Sequence, residues 1–115
     1  MIKQVPLKEM IYMFEFVPQA IVALPVDEIV KQFGWDVEKG HDDLDDYFGA
    51  AAWLDGVHPF TVMHYRGHPE DTSTIYLPFN IREAEKITHL INRIASELKL
   101  PAKKITWQRK DNPEL

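Results

Sequence analysis

Asp42, Asp45 and Asp46 stand three and four positions apart beside His41. On a helix that spacing brings the carboxylates to one face, where they could hold a hard divalent cation. A plainer role fits better. A helix beginning at Asp42 uses such carboxylates to accept from its free first-turn amides and to complement its dipole, for about 0.3 to 1 kcal/mol each. The chain also lacks the Gly-centred loop and terminal Glu of an EF-hand. His64 and His68 are four apart, as in helical zinc motifs, but His64 belongs to a predicted strand and His68 to a loop, and no Glu completes a His-Glu-x-x-His arrangement. The sequence therefore predicts neither a metal site nor a cofactor.

The remaining chemistry narrows quickly. There is no Cys, and the two serines, Ser73 and Ser96, fall inside a strand and near a helix end. Neither stands on the strained turn of a Gly-x-Ser-x-Gly elbow, so no catalytic residue is assigned. The five glycines are too dispersed for a phosphate-binding loop. Tyr65, Tyr76 and Trp107 beside Arg66 and Arg109 imitate a platform for single-stranded RNA, but aromatic residues at half-buried sheet positions are usually core. What survives is a candidate ligand-binding set, His64, Arg66, His68 and Tyr76, around a pocket at the mouth of a hairpin spanning residues 60–78.

That hairpin is the clearest element. Phe60–Arg66 and Thr72–Pro78 are rich in β-branched and aromatic residues and flank the turn formers Gly67–Asp71. With Arg66 opposite Thr72, Met63, Ile75 and Leu77 share one face. Phe60, Val62, His64, Arg66, Thr74 and Tyr76 share the other. A helix over 81–99 follows, opened by an Asn80/Glu83 capping box, with Ala84, Ile87, Leu90, Ile91, Ile94, Ala95 and Leu98 on one stripe and Pro101 beyond its end. Its stripe is expected to pack on the Met63/Ile75/Leu77 face. Alternation over 105–109 predicts a strand returning beside the hairpin.

The first half is more ambiguous. Residues 7–17 read as a helix burying Leu7, Met10, Ile11, Phe14 and Val17, or as a strand, and the aromatic residues favour a strand over 10–16. Residues 26–33 form a short helix between Pro25 and Gly34. Residues 42–54 read as a further helix, with Leu44, Tyr47, Phe48, Ala51 and Leu54 inward.

At 115 residues the chain is one domain, 1–115, large enough to bury a core without a staple. The absence of Cys excludes disulfides and thiolate metal sites, and no apolar run approaches a membrane span, so a soluble, cytoplasmic protein without a membrane partner is expected. Residues 1–59 hold four Lys or Arg against eleven Asp or Glu, and residues 60–115 hold nine against seven. This polarity suits contact between two copies, whereas the overall acidity argues against nucleic acid. The basic excess at Lys99, Lys103, Lys104, Arg109 and Lys110 reads as a solvated strand edge.

The expected fold is α+β, a small, mostly antiparallel sheet with helices against one face. The expected function is that of a small interaction or accessory module that binds a protein partner or a second copy of itself, with Phe60, Val62 and Tyr76 as the interface. A small enzyme or ligand-binding protein using the hairpin pocket is the alternative.

Overall fold

The computed structural model describes residues 1–43 and 45–109. Leu44 of the expected helical stripe and Lys110 of the basic cluster lie outside them. In chain order the elements are β1 (Ile2–Val5), α1 (Leu7–Met13), β2 (Phe16–Val22), α2 (Val26–Val30), β3 (Glu38–His41), β4 (Asp46–Leu54), β5 (His58–Tyr65), β6 (Ser73–Pro78), α3 (Ala84–Glu97) and β7 (Ile105–Gln108). The seven strands among the described residues make one antiparallel sheet in the order β1-β4-β5-β6-β2-β7, with β3 also pairing with β4. The fold is α+β.

The hairpin β5–β6 is present one residue out of the expected register. Val62 lies opposite Ile75 and Met63 opposite Thr74. Since side chains alternate with period two, this step moves the whole of β6 to the other face relative to β5. Phe60 and Val62 therefore join Ile75 and Leu77 beneath α2 and α3, while Met63 and Tyr65 join Tyr76 on the opposite face. The hydrophobic pattern accounts for the choice, because this register gathers four large apolar side chains into one core where the expected one divides them.

The described residues of 42–54 hold no helix. Residues 46–54 form β4, a strand near the sheet centre, and its run of Ala50, Ala51 and Ala52 is buried on both faces. Ala50 and Ala52 lie in the core with Val26, Ile29 and Val30 of α2, and Ala51 packs with Leu7 and Met10 of α1. Small side chains are what a strand needs when helices press on it from both sides, and tertiary packing overrides the helical propensity of alanine here. Gly49 belongs to the same requirement. A Cβ at that position would run into the Val62 carbonyl oxygen.

The strand expected at 10–16 is likewise replaced. Leu7 and Met10, three apart, are fully buried on one side of α1, and the extended segment begins only at Phe16. Glu38 fastens the start of this helix by accepting a hydrogen bond from the Leu7 amide. The helix lies on the face opposite α2 and α3, so the helices cover both sides of the sheet rather than one. Pro18 is accommodated within β2 by a bulge between Pro18 and Ala20.

The other expected elements need smaller changes. The helix at 26–33 is α2 followed by a 3₁₀ turn, Lys31–Phe33, ending at Gly34 in the left-handed region. The helix at 81–99 starts at Ala84, and no side chain caps its first turn, because Ile81 closes a turn onto Pro78 first. Its end carries Lys99 at a φ of 57°, with the Leu100 amide bonded to the Ala95 carbonyl, a Schellman-type stop. The strand at 105–109 is β7, which pairs with β2 and not with the hairpin. None of the described helices is long and apolar enough to cross a membrane.

Candidate functional site

Two grooves flank the end of the hairpin where β5 turns toward β6, one on each face of the sheet. The first, about 690 Å³, lies on the α2/α3 side between β3 and the loop after β5, with Lys39, His41, Asp46, Phe48, His64, Arg66 and Glu70 around it. Phe48 and His64 are directly paired across β4 and β5, and their rings meet at 5.2 Å. His64 Nδ1 lies 2.8 Å from the Thr72 carbonyl oxygen. A carbonyl only accepts, so Nδ1 carries the proton and Nε2 is left as an acceptor.

The acidic run forms the turn between β3 and β4 and ties down the end of β5. Asp42 accepts a 2.6 Å hydrogen bond from the Tyr65 hydroxyl, and Arg66 reaches Asp45 at 2.9 Å and Asp46 at 3.4 Å. His41 Nδ1 meets Asp46 at 2.7 Å as a cross-strand pair. The capping role expected for these carboxylates does not arise, because the described residues of 42–54 hold no helix to cap and 46–54 is a strand. No group of three or more His, Asp or Glu side chains among the described residues is gathered as a metal site. The Arg66 pairs are well exposed, so each contributes about 0 to 1 kcal/mol, and their main effect is to orient the loop.

The second groove, about 570 Å³, lies on the other face of the sheet, the one that α1 packs against. Tyr65, Tyr76, Phe16, Ile21 and Trp107 line it, with Thr74, Pro18 and His68. Trp107 lies opposite Ile21 in the β2–β7 pairing, and Arg109 stands 5.7 Å over its indole ring. Burial, then the nearby Asp42 carboxylate, pushes the Tyr76 hydroxyl up to about 12. Tyr65 is raised well above the ordinary phenol range by burial first and its bond to Asp42 second.

These shifts have a consequence for stability. The folded state keeps protons that the unfolded chain releases near pH 10, so their stabilisation is complete below about pH 10 and is lost as pH rises toward the folded values. Tyr76→Phe should therefore lose less stability than wild type between about pH 9 and about pH 11, by on the order of 1 to 2 kcal/mol. Urea melts at the two pH values check this, and parallel losses in the two proteins refute it.

The candidate residues do not line one groove, although the His64 and His68 rings meet edge-on at 6.4 Å. His64 and Arg66 border the first groove, and His68 and Tyr76 border the second. The interface set is divided as well: Phe60 and Val62 are buried beneath the helices, while Tyr76 looks to the opposite side. The register accounts for both splits. Tyr65, Tyr76 and Trp107, singled out above as an imitation of an RNA platform, do share one groove, whereas Arg66 is on the other face. Ile21 escaped notice because the strand was placed at 10–16, and Phe16, the last residue of that expected strand, is the first of β2. For Lys39 the available signal was its alternation with Glu38, Gly40 and His41, the period of a short strand. No protein-family model, curated protein or solved structure matches the chain.

Proposed function

We propose that this protein is a binding module that pairs with a second copy of itself through the sheet face left open beside α1. The observation that carries the reading is the second groove on that face, where β2 and the edge strand β7 lie beside the buried Tyr76 and Trp107 is 41% exposed. On the same side, Tyr12 and Met13 project from α1 at 93% and 59% exposure. Trp107, Tyr65 and Tyr76 line that groove, and Trp and Tyr are among the residues enriched at protein contacts. A twofold pairing lets one patch serve both partners. His68 and Arg109, the basic groups at this groove, are few for a phosphate backbone, which favours protein over nucleic acid in an acidic chain.

Trp107→Glu tests the reading, since a carboxylate there would be buried unpaired in the contact. Wild type is expected to sediment as a dimer, and the variant should dissociate at least about 30-fold more readily, from the 2 kcal/mol or more that an unpaired interfacial charge costs. Because Trp107 is at an edge and substantially exposed, circular dichroism should be unchanged. A wild type that remains monomeric at high concentration sinks the proposal.

A further inference from the structure

The first groove carries a separate reading, independent of pairing through the opposite face. Its internal charges are largely spoken for: Arg66 is held by Asp45 and Asp46, and His41 by Asp46. Lys39, on β3, and Glu70, on the loop beyond β5, also border it, and among the described residues their side chains take part in no ion pair or hydrogen bond. The sheet order places them on opposite flanks, with β4 and β5 between. Between them lies the Phe48/His64 pair, an aromatic floor whose histidine is fixed by the Thr72 carbonyl and offers Nε2 as an acceptor.

We propose that this groove binds a small aromatic zwitterion with the chemistry of an aromatic amino acid. The ligand's carboxylate meets Lys39, its ammonium meets Glu70, and its ring lies on Phe48 and His64. A ring N–H or O–H donates to His64 Nε2. A volume of about 690 Å³ is within the range of small-molecule sites, and an aromatic floor with a few separated polar groups is their usual construction. One free charge of each sign favours a zwitterion over a simple anion or cation, because either of those leaves one wall opposed to bulk solvent alone.

The test uses L-tryptophan, tryptamine and indole-3-propionate as probes of the full chain, followed by titration calorimetry and by NMR shifts at His64 and Phe48. L-tryptophan should bind saturably, with shifts at those two residues, and each analogue lacking one charge should bind about two- to fivefold more weakly, the range of one exposed ion pair. Lys39→Glu should weaken L-tryptophan and indole-3-propionate while sparing tryptamine. Lys39 is exposed, so the fold should survive that change, and circular dichroism verifies it. Trp107→Glu should leave all three affinities unchanged, which separates this site from the pairing surface. Absence of saturable L-tryptophan binding at millimolar concentration overturns the proposal. So do shifts that fall on Tyr76 and Trp107 instead, or affinities that ignore Lys39→Glu.

Discussion

Val62→Lys is expected to abolish the folded state. Val62 is 1% exposed, between Ala50 of β4 and Ile75 of β6, in the core that α2 and α3 cover. No Asp or Glu is buried among the described residues, so the ammonium would be buried unpaired or would have to deprotonate. The effective cost is several kcal/mol, against a total of about 5 to 15 kcal/mol for a domain of ordinary stability. The far-ultraviolet dichroism should be that of an unfolded chain, or the melt should fall by tens of degrees. A variant that stays folded and differs only in assembly would mean that Val62 faces a partner, which is how its β-strand pattern reads without the register.

Ile91→Ala should cost about 2 to 5 kcal/mol, and Ile94→Ala a similar amount. Both side chains are fully buried, on the stripe by which α3 packs against the sheet. Removing their branched ends leaves a cavity that helix and sheet cannot easily close. At about 4 to 8 °C per kcal/mol for a domain of this size, the melting temperature should drop by at least ~8 °C. Glu85, exposed on the outer side of the same helix, provides the control, and Glu85→Ala should stay within about 0.5 kcal/mol. Indistinguishable melts for the Ile and Glu variants would refute the packing of α3.

The contrast between α3 and β4 shows what was legible in the chain. Along α3 the apolar stripe recurs at spacings of three and four with charges outside it, and Pro101 marks its end, so a local pattern identifies it unaided. In β4 the inward stripe of a helix and the continuous apolar run of a doubly covered strand are nearly the same string of letters. Only the presence of α1 on one side and α2 on the other makes the strand the better solution. Residues 7–17 pose the same problem in reverse: the aromatic content suggested a strand, but burial of Leu7 and Met10 against Met63 and Tyr76 stabilises a helix first.

The candidate site repeats the lesson at the level of single side chains. His64, Arg66, His68 and Tyr76 are all near a groove, because polar and aromatic residues around a turn leave few other places for one. One step of register puts Tyr76 on the face away from His64 and Arg66, while His68, on the loop, still meets the His64 ring.

By itself the sequence determined the α+β class, α3 and its end, the pairing of β5 with β6, and the exclusion of thiolate and disulfide chemistry through the absence of Cys. These follow from composition and from periodicity within a single segment. Only the tertiary structure decided which face of each strand meets the core, that Asp42, Asp45 and Asp46 tether the end of β5, and that the aromatic side chains leave an open groove beside α1. The physical reason is that alternation tells which side chains travel together along one strand. Which side is buried depends on register and on covering helices distant in the chain, and those are selected by the apolar area the whole molecule removes from water.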